Sequence, residues 1–267
     1  MTTTAPTENR LPSPLPSGAS VEEQRARRRE RVAVGCRVLH RYGLVTGPAG
    51  HITARDPEHA DRFWVNPAGR SFGRMRASDV ICVTHDGEIV EGAGALNPAA
   101  FVIHSRIHAR FPELHAACHS HAPAARPFSA TGRLVEPTSQ DACTFYEAQV
   151  LVNRYSGSVL ELDEGRRIAE ALAAPTPAAE GNTVAILGHH GHLTVGGTVD
   201  EAVYRFVLFE QCVDSQLRLE STGRPYHVID HETAAKTRSQ VASAYVAQIG
   251  FAMLYEQLVH EEPDVLG

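Results

Sequence analysis

Two histidines stand two residues apart at the end of an apolar run, Leu114-His115-Ala116-Ala117-Cys118-His119-Ser120-His121. The run reads as a buried strand. Side chains at i and i+2 of a strand share a face, so His119 and His121 can grip one cation together. A third donor is available about seventy residues on, in Ile186-Leu187-Gly188-His189-His190-Gly191-His192-Leu193-Thr194, where a glycine-flanked turn interrupts two apolar runs. Three neutral imidazoles without a thiolate or an obvious carboxylate suit Zn²⁺ or Fe²⁺. They leave coordination positions open, the pattern of a catalytic rather than a structural metal. With 15 His in the chain, the competing reading is a chance cluster of satisfied core or surface histidines.

Composition narrows the partners. A chain of 267 residues, 43% of them hydrophobic and 21% charged, can bury one large core. The net charge of −6 argues against nucleic acid as a partner, because phosphate neutralisation needs a basic face. The one basic run, Arg25 to Arg31, carries a counter-charge and reads as a solvated helical face. No apolar stretch approaches the ~20 residues needed to span a bilayer, so no membrane contact is expected. Residues 1–20 are rich in Thr, Pro and Ser and are expected to form a disordered tail before a single domain over 21–267. Five cysteines without a Cys-x-x-Cys pair suggest reduced thiols and a cytoplasmic protein. Lys236 is the only lysine, and it stands in a polar stretch. Schiff-base chemistry, which needs a desolvated lysine, is therefore disfavoured.

The element pattern is α/β. Ser20-x-x-Glu23 is a capping box that opens a helix to about Tyr42, closed by Gly43. Strands are expected at 51–55, 63–67 and 80–84, with a hairpin through the Asp86-Gly87 turn. Asn97-Pro98 starts a helix to about Arg110, and the His-x-His strand follows. A strand is expected within 144–151, a helix over 164–174, and strands on both sides of the His189-His190 turn. Thr198-x-x-Glu201 opens a long helix to about Leu219, and one last helix is expected over 232–259.

Four segments together resemble the class II aldolase/adducin superfamily: Gly47-Pro48-Ala49-Gly50-His51-Ile52-Thr53-Ala54-Arg55, Leu96 to Pro112, Cys118-His119-Ser120-His121, and Leu187 to Gly196. The resemblance covers roughly residues 25 to 220. It implies a three-layer α/β/α sandwich around a central, largely antiparallel sheet, and a homotetramer with metal sites in clefts between subunits. By the matching motifs His119, His121 and His190 would be the ligands, with His189 or His192 as substitutes if the turn register differs.

The departures from the family pattern matter as much. Sugar-phosphate aldolases of this family place a glutamate near the start of the helix, as metal ligand and proton shuttle. Here that region reads Asn97-Pro98-Ala99-Ala100-Phe101, and His51 replaces the asparagine of the phosphate loop. An enolate-forming aldolase without its base would lose about 10²–10⁴ in rate. What remains is a cation on three imidazoles, able to take a 2-oxo or 2-hydroxy acid together with O₂. One branch of the superfamily, the aminocoumarin-antibiotic enzymes, oxidatively decarboxylates a prenylated 4-hydroxyphenylpyruvate, through a mandelate, to a prenylated 4-hydroxybenzoate. The resemblance is greatest to that branch.

The remaining candidates divide. His51 suits a substrate carboxylate, and Tyr146 and Glu147 are candidates for a cleft phenol and base. His104 and His108, four apart on one helical face, could orient a metal ligand, but read first as the polar edge of a helix at a surface or interface. Arg55 reads as a structural anchor, and Glu210 as buried and hydrogen-bonded, between subunits among other possibilities. Three functions follow: an Fe²⁺-dependent oxygenase/decarboxylase of an aromatic acid; a Zn²⁺-dependent lyase, aldolase or non-oxidative decarboxylase; and a non-catalytic adducin-like assembly module.

Overall fold

A computed structural model describes residues 18–157 and 162–267. Most of the expected tail, residues 1–17, lies outside the described residues. The Ser20 side chain accepts from the Glu23 amide, and Glu23 answers the Ser20 amide, so the expected capping box opens α1 (Val21–Arg41).

Among the described residues eight strands form one sheet: β1 (His51–Arg55), β2 (Arg62–Val65), β3 (Ile81–Thr84), β4 (Ile89–Glu91), β5 (Ala116–Ser120), β6 (Gln149–Val152), β7 (Val184–Leu187) and β8 (Gly191–Gly196). Their spatial order is β4-β3-β2-β1-β5-β8-β7-β6. Only β6 and β7 pair in parallel. Every other pair is antiparallel, as the sequence led us to expect.

Helices cover both faces. Alternation along β5 sends Ala117 into a core with Val102, Ile103 and Ile107 of α2 (Pro98–Arg110) and Ile168 of α5 (Leu162–Leu172). Ala116 and Cys118 face the other way, into the larger core built by α1, α6 (Val199–Ser221) and α8 (Ala244–Glu261). Two short helices, α3 (Ala125–Ser129) and α4 (Gln140–Cys143), cross over the β7 side. Asp56 fastens α1 to the sheet: it accepts from Arg25 at 2.9 Å and from the Trp64 indole at 3.0 Å.

Two expected elements change. The single C-terminal helix is two, α7 (His231–Val241) and α8, because the Ser243 side chain caps the Val246 amide and starts a new helix there. The strand expected within 144–151 begins only at Gln149. Residues 140–143 are helical instead, and Glu147 sits at φ 56°, a left-handed bend that no strand accommodates. Lys236 is exposed on α7, and all five cysteines are buried and free. No helix among the described residues is long and apolar enough to cross a membrane.

Candidate metal centre

The β7–β8 hairpin brings the third imidazole to the first two. Ile186 pairs with His192 and Leu187 with Gly191, while Ser120 of β5 pairs with His192 on the other side of β8. The connecting turn uses His189 at φ 59° and Gly191 at φ 136°. A side chain at Gly191 would be strained at that φ. The result is that His119, His121 and His190 present ligand atoms that all lie within 4.8 Å of one another. His189 points outward beside Tyr155, ring centroids 6.0 Å apart. His192 is wholly buried, stacked on Phe206 at 4.0 Å. Of the three histidines in the turn, the structure therefore selects His190.

The electrostatics suit a cation. Nδ1 of His119 lies 2.8 Å from the His192 carbonyl, so it donates, and Nε2 keeps the lone pair. The Nε2 atoms of His121 and His190 lie 2.8 Å apart, a spacing that needs one shared proton or one shared cation. Burial pushes His190 down to about 4, with His121 adding to the effect. Burial also holds His119 well below the ordinary imidazole range and lowers His121. Neutral imidazoles are what a divalent ion requires. Among the described residues the group contains no carboxylate. The helix start that carries none in sequence uses Asn97 to cap the Ala99 and Ala100 amides.

His51 stands directly across from His119 in the β1–β5 ladder, with ring centroids 4.9 Å apart. Behind it lies a chain of buried polar atoms. His51 Nδ1 is 2.6 Å from His104 Nε2, His104 Nδ1 is 2.6 Å from Thr53 Oγ1, and Thr53 Oγ1 is 2.9 Å from His108 Nε2. Burial holds all three imidazoles neutral at neutral pH. With every link made, the protons can run along the chain in either direction. One leaves Nε2 of His51 a donor, the other leaves it an acceptor.

This corrects the reading of His104 and His108 as a surface or interface edge. Both are essentially inaccessible and face the sheet. The signal in sequence was the 51/53 and 104/108 spacing, period 2 on a strand against period 4 on a helix. It becomes legible only once the two elements are known to pack.

Tyr146 and Glu147 are not brought to the imidazoles within one chain. They precede β6 at the end where Thr183 bonds to Ala148, whereas His190 follows the opposite end of the adjacent β7. Tyr146 Oη lies instead 2.9 Å from His231 Nδ1, and the Glu147 carboxylate 3.7 Å from the same nitrogen. The bend at Glu147 turns this pair toward α7. Glu210 caps α3, accepting from the amides of Ala124 at 2.6 Å and Ala125 at 3.0 Å within the same chain. Arg55 is an anchor, donating to the carbonyls of Ala60, His108 and Phe111.

Residues 30–217 match the class II aldolase and adducin N-terminal domain. The chain is 38% identical over 245 residues to decarboxylase NovR of Streptomyces niveus, covering 91% of this chain and 88% of that one. It is also 38% identical over 245 residues to a 4-hydroxy-3-prenylphenylpyruvate oxygenase/4-hydroxy-3-prenylbenzoate synthase of Streptomyces roseochromogenus subsp. oscitans, covering 91% and 86%. Among solved structures, an L-fuculose 1-phosphate aldolase from Glaciozyma antarctica PI12 superposes with a TM-score of 0.84 at 34% identity, covering 95% of this chain and 96% of that one.

Proposed function

Since the chain belongs to the class II aldolase and adducin family, we propose that it is an oxidative decarboxylase of aromatic 2-oxo or 2-hydroxy acids, the chemistry named for its Streptomyces relatives. In its finest form the reading is two balanced steps. A prenylated 4-hydroxyphenylpyruvate and O₂ give the corresponding mandelate and CO₂. The mandelate and a second O₂ give the prenylated 4-hydroxybenzoate, CO₂ and water. In this proposal the protein works in the cytoplasm, in aminocoumarin-type antibiotic assembly.

The observation that carries the reading is the convergence of three neutral imidazoles with no carboxylate among them. His119, His121 and His190 would hold the ion, Fe²⁺ in this reading and Zn²⁺ in the alternative. When bound, such an ion supplies a Lewis acid with coordination positions left open. The chain's own residues do the rest. The His192 carbonyl fixes the ring of His119. His51 offers Nε2 to the substrate, as donor to its carboxylate or as acceptor from its 2-hydroxyl, according to the state of His104, Thr53 and His108. Tyr155, exposed beside His189, offers an aromatic surface at the rim.

His121 and His190 are only partly buried in one chain. A homotetramer in which a neighbouring copy closes the site would exclude water from it. In such an assembly Tyr146 and Glu147 would serve another copy's site rather than their own.

The test is O₂ consumption coupled to CO₂ release from an aromatic 2-oxo acid, dependent on added Fe²⁺. Equal turnover under nitrogen would exclude the oxidative reading. It would favour a metal-dependent lyase, to which the 34% identity with an L-fuculose 1-phosphate aldolase gives weight. A protein that takes up no metal would favour an adducin-like assembly role.

A further inference from the structure

A second site lies at the opposite end of the central strands. His115 and Gly197 mark the ends of β5 and β8 remote from His119 and His190, and four residues of strand correspond to about 13 Å. There α1, α6 and α8 enclose a cleft of about 410 Å³, floored by Ala54. This is ample for a small organic ligand.

The two long walls differ in chemistry. Along α1, Gln24, Arg27, Arg28 and Arg31 follow the i, i+3, i+4, i+7 spacing of one helical face. Along α8, Tyr245, Gln248, Ile249 and Ala252 repeat that spacing with a mainly apolar surface. The third side is the N-terminus of α6, where the backbone dipole favours negative charge.

Arg31 points to the occupant. It is 3% exposed, and its Nε and Nη1 have no hydrogen-bond partner. Its plane lies 3.9 Å over the Tyr255 ring. Asp200, the carboxylate in the lining, stands 3.5 Å from Nε, an ion pair without a hydrogen bond. Arg28 is partly engaged by the Arg55 carbonyl. A buried cation with unused donors is costly unless an acceptor reaches it.

We propose that this cleft binds a small aromatic or branched organic acid, its acid group on Arg31 and the neighbouring arginines, and its apolar body against Tyr245 and Ile249. The site is separate from the three histidines. It does not depend on the reaction proposed above.

Calorimetric titration of the full-length protein with sodium 1-naphthoate tests it. One saturable site per chain is expected, with 1-naphthalenemethanol, the neutral counterpart, binding at least 10-fold more weakly. Arg31→Met, which keeps the stem over Tyr255, should weaken 1-naphthoate at least 10-fold. Tyr245→Ala, at an exposed position (63%) whose loss leaves the core intact, should weaken it several-fold and serves if the Arg31 variant does not fold. His190→Ala should leave the affinity unchanged. Loss of binding in His190→Ala, equal binding of the neutral alcohol, or unchanged affinity in folded Arg31→Met or Tyr245→Ala would overturn the proposal.

Discussion

At the scale of single residues, the histidines divide into those that can meet a cation and those that hold them in place. His190 is partly exposed, so its replacement removes a donor without opening the core. We expect His190→Gln to fold with wild-type stability while bound Fe²⁺ or Zn²⁺, measured by elemental analysis, falls well below one ion per chain. His104 is the opposite case. His104→Phe keeps the bulk but deprives His51 Nδ1 of its partner, at about 1–3 kcal/mol for one buried group left unsatisfied, while Thr53 keeps its bond to His108. Urea unfolding should show that loss with metal content unchanged. A variant that lost metal and kept its stability would contradict the division. The His-x-His pair was legible because strand periodicity alone puts the two side chains on one face. The relay through Thr53 was not, because it depends on α2 lying against β1, a contact between residues some fifty positions apart. The placement of Tyr146 and Glu147 was illegible for a related reason: their neighbours in sequence resemble a strand entering the sheet, but the left-handed bend at Glu147 sets them beside His231 of the same chain.

Among elements, α2 and α5 define the histidine-bearing side of the sandwich, and their approach rests on one glycine. A Cβ on Gly165 would lie 2.0 Å from the Val102 carbonyl oxygen, a backbone atom that cannot swing aside. Gly165→Ala must therefore push the helices apart, although it would favour an isolated helix by about 1 kcal/mol. Overpacking of this kind typically costs about 1–3 kcal/mol. The net effect should be a lower urea midpoint and a disturbed α2 face. Amide exchange should quicken in α2 and α5 and stay unchanged in α6. A stabilised variant would mean that the contact is not tight. Helix starts were the most legible elements, since Ser20, Asn97 and Thr198 each cap in the way their side chains dictate. Helix ends were less so. The break before Ser243 has no glycine or proline to announce it, and a capping serine inside a long apolar pattern reads as one surface residue among others.

For the molecule as a whole, burying so many imidazoles makes stability depend on pH in a definite direction. His51, His104, His108, His119 and His192 are at most 3% exposed, and burial lowers the affinity of each for a proton. His192 is pushed down to about 3 and His190 to about 4. In the unfolded chain these groups titrate near ~6.5. As pH falls below that value the unfolded state takes up protons that the folded state refuses, so stability is full above ~7 and declines downward. Each such group contributes a slope of about 1.4 kcal/mol per pH unit between its two titration points. Carboxylates held low by partners, such as Asp56 and Asp264 at about 2, begin to cost stability only below the ordinary carboxylate range near ~4. From pH 6.5 to 4.5 the buried histidines outnumber the two carboxyls that burial raises, Asp200 and Glu210, which act in the opposite direction. Urea unfolding of metal-free protein at pH 7.5, 6.0 and 5.0 should show a steep loss over that interval. His192→Phe, which preserves the stack on Phe206, should shallow the slope by about one group's share, ~1.4 kcal/mol per pH unit. A flat profile from pH 7.5 to 5.0, or the same slope in His192→Phe, would mean that the buried imidazoles accept protons without unfolding. The neutral state on which cation binding depends would then not be imposed by the fold.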